Sequence, residues 1–415
     1  DHPILKKNIL VNIFIKDRKL LLQTQTSGSY FLENNQVIKW DVPANSLFDK
    51  VTIFSSLRLK NGNFIIGTIS NGIYLISSEG NIIYNINQKK GLANNTVLSL
   101  FEDLDQNLWL GLDNGISMIN MNSPFLIYHD TEGLLGSVYA ALMYEDELYV
   151  GTNQGLFHRK DDSEVFEFVE GTKGQVWCLK IYDNSLFCGH NIGTFEVKNG
   201  VAELIAPIMG TWDILPVKDN PNILLQGNYN GLNTLEKVNG KWQFRSVLQG
   251  FDISSRYFGF DSEMNIFVSH EWKGIFKLEV NDDFTKVLGY RTVPSSEKRL
   301  KSSLVTYHDD LLYTTEEGVF KYNEQQELFL NVPVLSINLF AHDNYVSGKL
   351  IADKAKNRLW GFTDKNIVYF SPAKLNNDLR ATKISLPAES RQFVTSYESV
   401  THLRDELYIF GTTRG

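Results

Sequence analysis

One short pattern recurs along the whole chain and constrains the fold more than any other feature. "LWLGLDNGISMIN" (108–120) has an apolar run, a glycine, a polar gap, a second glycine and a second apolar run. The same order returns in "FIIGTISNGIYLIS" (64–77), "LYVGTNQGLFHRK" (148–160), "LFCGHNIGTFEVK" (186–198) and "LLQGNYNGLNTLE" (224–236). The second glycine, or its substitute, falls at Gly28, Gly72, Gly115, Gly155, Gly193, Gly231, Gly274, Gly318, Asn366 and Gly415, a mean spacing of about 43 residues. A repeat of that length made of several short strands is the signature of a β-propeller blade. Helical repeats of similar length would place apolar residues at three- and four-residue spacing, and these units do not.

Residues 95–130 show the internal order of one unit. "NTVLSLFED" (95–103) reads as a first strand and "LDQN" (104–107) as a tight turn. "LWLGL" is a second strand, "DNG" a turn, "ISMIN" a third strand and "FLIYHD" (125–130) a fourth. The expectation is an all-β chain of four-stranded antiparallel blades, none stable alone because its apolar faces need neighbours. Phosphate-cradling glycines sit between a strand and a helix. Gly111 and Gly115 instead lie within and after strands, ahead of another strand. Gly115 is expected to permit positive φ at the hairpin turn, and Gly111 a close strand approach. Trp109 and Trp360, on second strands just before the glycine position, are expected in the packing between blades.

A chain of 415 residues can bury one large core or two to three ordinary ones. No run of 18 apolar residues occurs, so no segment reads as a membrane-spanning helix. The net charge of −8 argues against direct contact with nucleic acid, which is bound through Lys and Arg. Cys178 and Cys188 read as two small buried side chains on neighbouring strands, with a bond between them left open by the sequence, and a metal site would need partners that His190 alone does not supply. Because the chain starts at Asp1 without a signal segment and ends inside the repeat at "YIFGTTRG", it reads as an internal piece of a longer polypeptide.

"GLANNTVLSLFEDLDQNLWLGLDNGISMIN" (91–120) resembles the regulator-propeller repeat of Bacteroidetes sensory proteins, and "GLLGSVYAALMYEDELYVGTNQGLF" (133–157) is similar to it. The other units share only the paired-glycine core. The resemblance implies the extracytoplasmic sensor half of one-piece two-component regulators, or of flavobacterial relatives with a helix-turn-helix output. In such proteins two seven-bladed propellers precede a triple-tyrosine domain, a membrane helix and the output modules. On that basis residues 124–415 are expected to form one seven-bladed propeller. Residues 1–123 would be three blades ending a preceding one, with about four blades upstream.

Little in the sequence points to catalysis, and no cofactor is expected. "DLDQN" (103–107) begins like a calcium loop, as does "DSEMN" (261–265) more loosely. The required Gly and Glu positions are Leu108 and Asn114, so hairpin turns in which Asp and Asn bond their own backbone are expected instead. The histidines, among them His129, His158, His190, His270, His308, His342 and His402, fall at different phases of the repeat, which argues against a metal centre on the propeller axis. No Gly-x-Ser-x-Gly, phosphate-loop or sialidase-type turn occurs.

Repeat phase does single out one surface. The residues just before the first, innermost strand of each blade sit at the mouth of the central channel. Aligning units on the paired glycines places there "NNTV" (94–97), "GSVY" (136–139), "GQVW" (174–177), "GTWD" (210–213), "SSRY" (254–257), "KSSL" (301–304), "SGKL" (347–350) and "YESV" (397–400). Trp177, Trp212, Arg256, Tyr257, Lys349 and Glu398 are the candidate ligand-binding residues, because aromatic faces beside hydrogen-bonding groups suit a carbohydrate. The competing reading is that these aromatics fill the wedges between blades.

The resulting expectation is a periplasmic sensor that binds a small molecule or oligosaccharide, a glycan-derived or envelope signal, and is not an enzyme. Its membrane attachment, and any homodimer, would come from segments outside this chain. The rivals are a cell-surface or secretion-associated scaffold that holds partner proteins, and a propeller-type polysaccharide lyase or hydrolase.

Overall fold

The tightest turns show how locally the strands are set. In six two-residue hairpins among the described residues, Asp17–Arg18, Asn34–Asn35, Glu145–Asp146, Asp183–Asn184, Asn199–Gly200 and Asn239–Gly240, both central residues have positive φ. Such a pair matches the right-handed twist of the flanking strands, and Asn and Asp tolerate it best. The longer turns use a side chain instead. Asp103 Oδ1 accepts from the backbone N–H of Asp105 at 2.9 Å and of Asn107 at 2.8 Å. Asp261 Oδ1 accepts in the same way from Glu263 and Asn265. These carboxylates close turns, as expected for the two segments that begin like calcium loops.

The structure, a computed structural model, describes residues 2–413 apart from 124, 126–127, 129, 131–132, 161–162, 164, 219, 295–301, 341–348, 374–377 and 387–396. His129, His342, Gly415 and half of the expected strand 125–130 (126, 127 and 129) therefore lie outside the described residues. Among those described, the sheets number ten: eight of four strands, one of three and one of two, all antiparallel meanders. Three short helices, Pro3–Lys7, Asn45–Phe48 and Pro333–Phe340, lie between or before them. No helix among the described residues is long and apolar enough to cross a membrane.

The chain divides into two compact units, Asp1–Thr131 and Glu132–Gly415. The first unit holds sheets starting at Leu10–Lys16, Ile53–Arg58 and Val97–Glu102, whose first strands pack in series. Asn12 Nδ2 donates to Ser56 O at 2.8 Å and Ser55 Oγ to Val97 O at 3.0 Å. In the second unit, Val138–Tyr144 packs beside Val176–Tyr182, which packs beside Asp213–Val217. Tyr257–Phe260 then leads through Ser303–Tyr307 and Ile351–Asp353 to Ser399–Arg404. Ser399–Arg404 returns to Val138–Tyr144, with Val138 N donating to Thr412 O at 3.1 Å and Thr401 Oγ1 to Ala141 O at 2.5 Å.

The apolar cores lie between consecutive sheets. Leu225 and Leu232 meet Phe258 and Val268 across one such boundary, and Leu186 and Cys188 meet Tyr149 and Leu156 across another. Each fully buried Leu, Val or Phe contributes ~1.5–3 kcal/mol, and only a neighbouring sheet supplies the burial. Tyrosines that end the first strands add polar struts. Tyr144 Oη donates to Asn184 O at 2.9 Å, Tyr182 Oη to Ile214 O at 2.7 Å and Tyr307 Oη to Asn357 O at 3.2 Å, each across to the next sheet. Tyr182→Phe should lower stability by ~1 kcal/mol in urea unfolding, because it leaves a carbonyl at the sheet boundary without its partner. An unchanged midpoint would remove the strut from the account.

The paired glycines behave as their spacing suggests. Gly111 stands opposite Ser99, and a Cβ there would collide with the Ser99 hydroxyl, while Gly115 has φ +150°. The free thiols Cys178 and Cys188 are buried on adjacent strands, one register step apart.

The two tryptophans of the second strand part company. Trp360 is 1% exposed and packs against Tyr369 at 4.9 Å and, on the following sheet, Tyr408 at 4.8 Å. Trp109, expected to be equally buried, is 42% exposed, with its Nε1 donating to Asp103 Oδ2 at 2.8 Å. Among the described residues its sheet is the last of its unit. Leu108 and Leu110 on one face are fully buried, but no later described sheet of that unit covers the other face, where Phe101 and Met118 are Trp109's register partners.

Candidate functional site

All six candidate residues lie at the entrances of first strands in the second unit. Trp177 is the second residue of Val176–Tyr182, Trp212 immediately precedes Asp213–Val217, and Arg256 and Tyr257 span the start of Tyr257–Phe260. Lys349 lies two residues before Ile351–Asp353, and Glu398 directly before Ser399–Arg404. Equal repeat phase thus becomes spatial proximity. The Trp177 and Trp212 ring centroids are 4.7 Å apart, and the Arg256 guanidinium lies 5.1 Å from the Trp212 ring and 5.0 Å from that of Tyr257. Lys349 Nζ donates to Glu398 O at 2.8 Å.

Three tyrosines join this cluster that the sequence reading did not name. Tyr139 stacks on Trp177 at 5.3 Å, and Tyr397 lies 5.0 Å from Tyr139 and 4.0 Å from the Arg256 guanidinium. Both sit inside the aligned channel-mouth segments, so the signal was present. Tyr229 differs. It arrives from the turn between the second and third strands, at another phase, and its hydroxyl accepts from Trp177 Nε1 at 3.1 Å. Gly210 makes room for it, since a Cβ there would lie within the Tyr229 ring.

The aromatic rings of the cluster are half-buried. They therefore differ from true wedge residues such as Trp242 and Trp360, at 3% and 1% exposure. Beneath the rings, Lys180 and Asp213 pair at 2.8 Å. Burial pushes the Tyr257 phenol up to about 12 although Arg256 opposes the shift. Burial likewise pulls Lys349 down to about 8, with Glu398 acting in the opposite direction. The folded state then holds fewer protons on Lys349 than the unfolded chain between pH 8 and 10.5, so the penalty of the buried ammonium is present below pH 8 and fades as pH rises. Lys349→Met should be relatively most favourable at pH 7. Its stability relative to the parent should fall by on the order of 1 kcal/mol towards pH 9.5, measured by urea unfolding at several pH values. A pH-independent difference would contradict a buried, depressed lysine.

One edge of the cluster opens into a cleft of about 150 Å³ lined by residues that include Trp212, Arg256, Tyr257, Ser269, His270 and Trp272. Trp272 is 57% exposed. His270 Nδ1 accepts from Trp272 N at 3.2 Å, and burial, with Lys273 nearby, depresses its pKa. Ser269 stands where the repeat carries its first glycine, as at Gly189 and Gly227. That break in the repeat, followed by "HEWK", was the signal for this wall of the cleft, but it falls outside the phase that located the channel mouth. A half-exposed indole, a guanidinium, an imidazole and a hydroxyl on one small concavity can stack a ring and hydrogen-bond its substituents.

No protein-family model matches the sequence, and no curated protein matches it. Solved structures do. The extracellular domain assigned to the hybrid two component system BT3049 from B. thetaiotaomicron is 15% identical, with a TM-score of 0.63, over 98% of this chain and 55% of that chain. The extracellular domain assigned to the one component system BT4673 from B. thetaiotaomicron is 17% identical, with a TM-score of 0.49, over 90% of this chain and 54% of that one. Virginiamycin B lyase from Staphylococcus aureus is 11% identical with a TM-score of 0.45, over 67% of this chain and 92% of that one. The chain spans about half the length of the two Bacteroides domains. It has the β-propeller fold, as does the extracellular domain assigned to BT3049.

Proposed function

We propose that the chain is an extracytoplasmic, periplasmic sensor propeller of a signal-transducing transcriptional regulator, and that it works by binding rather than catalysis. The second unit is read as a closed seven-bladed ring, with the channel mouth as its binding face and a glycan-derived saccharide as its ligand. The observation that carries this reading is the cleft in which Trp272, half exposed, stands beside Arg256 and His270 at the rim of the stacked cluster. Ordered aromatic faces next to hydrogen-bonding groups fit a sugar ring, whose C–H surface stacks and whose hydroxyls bond. The fold likeness to an extracellular sensor domain supports the same reading. Occupancy would bias the regulator through differential affinity for two arrangements of the longer protein.

The test is calorimetric titration of the purified chain with a panel of plant, mucin and bacterial oligosaccharides, followed by chromatography of the same mixtures. Binding without new products supports a sensor. Product formation would replace it with a lyase or hydrolase, and the absence of binding by every saccharide would remove the ligand class.

A further inference from the structure

Two polar groups on the cleft residues have no hydrogen-bond partner among the described residues. Trp212 Nε1 and Ser269 Oγ are both shut away from solvent, and neither bonds to another group. An indole N–H can only donate, and leaving a buried donor unmade costs ~1–3 kcal/mol. Trp242 and Trp360 also carry unmet indole N–H groups, but Trp212 and Ser269 line one cleft, where a ligand that reached both would complete their bonding. A third donor adjoins them. Because His270 Nδ1 accepts from Trp272 N, the neutral ring carries its proton on Nε2.

Most of the polar groups on this wall are donors. It offers an N–H, a hydroxyl, an imidazole N–H and the Arg256 guanidinium, and guanidinium recognises carboxylate with particular strength. Glu271, which also lines the cleft, sets a limit. Its carboxylate suits sugar hydroxyls and repels a second anion, so a multiply sulfated ring fits poorly. Trp272 supplies the stacking face. Building on the saccharide reading above, we infer that the cleft takes a sugar acid, a hexuronic acid residue. Its single carboxylate is directed at Arg256, Trp212 and Ser269, and its ring lies on Trp272. For both donors to reach such a ligand, the Ser269 hydroxyl has to rotate and the Trp212 ring has to turn towards the cleft.

The probes are the methyl glycosides of galacturonic and glucuronic acid, with methyl galactoside and methyl glucoside as neutral counterparts, titrated into the full chain by calorimetry. At least one uronide should bind ten or more times tighter than its neutral counterpart. Trp212→Phe keeps the ring and removes the N–H, and Ser269→Ala removes the hydroxyl. Each should weaken uronide binding about five- to twentyfold and neutral-sugar binding by a clearly smaller factor. Thermal melts establish that the variants fold, and Ser269→Ala carries the test if Trp212→Phe melts early. Equal affinity for acid and neutral sugars, or uronide binding indifferent to both substitutions, overturns the sugar-acid assignment while the saccharide reading stands. Failure of all four glycosides, together with the oligosaccharide panel, overturns both.

Discussion

Trp360→Ala should lower the unfolding free energy by ~3–5 kcal/mol, whereas Trp109→Ala should cost about 1 kcal/mol or less. Both residues occupy the same repeat position, so a reading based on repeat phase alone would assign them equal losses. The difference is what lies across the sheet face. Trp360 fills the space between its own sheet and the next, touching Tyr369, Tyr408 and Phe410, and its removal leaves a cavity that rigid sheets cannot close. Trp109 loses only a half-exposed face and a hydrogen bond to Asp103. Urea unfolding with separate probes for the two units would measure both. Equal losses would mean that the face bearing Trp109 is covered in solution.

Trp272→Ala should weaken binding of the cognate saccharide by ~2–3 kcal/mol, about thirty- to a hundredfold, with little change in melting temperature. The indole is 57% exposed and sits in a turn between strands, so removing it opens no cavity in a core. The same substitution at Trp242, at 3% exposure and packed on Phe187 at 5.6 Å, should destabilise the fold before it affects any ligand. The contrast separates a platform from a wedge. Calorimetry on both variants reads it, and undiminished affinity in Trp272→Ala would move the site away from this cleft.

Several features were legible because they are local. Gly111, Gly115 and the Asp103 turn act over a few residues, and their roles follow from backbone sterics and side-chain reach. The grouping of the six candidate residues was legible for a different reason. Like units place equal phase at like positions, so alignment alone brought Trp177, Trp212, Arg256, Tyr257, Lys349 and Glu398 to the starts of first strands. Tyr229 was hidden because it enters from another phase. Ser269 and Trp272 were hidden because they depart from the repeat, and repeat alignment discards departures.

The sequence by itself determined the strand order, the turn chemistry, the spacing of the blades and the residues that begin their first strands, because each is set within one unit of about 43 residues. Tertiary structure alone decided which faces are covered. Burial of a sheet face depends on whether another sheet stands beside it, which separates Trp360 from Trp109. It also decided that rings from several blades stack around Arg256, and that Trp212 and Ser269 line one cleft with unmet hydrogen bonds. Those contacts join residues far apart in the chain, and no pattern within a single repeat specifies them.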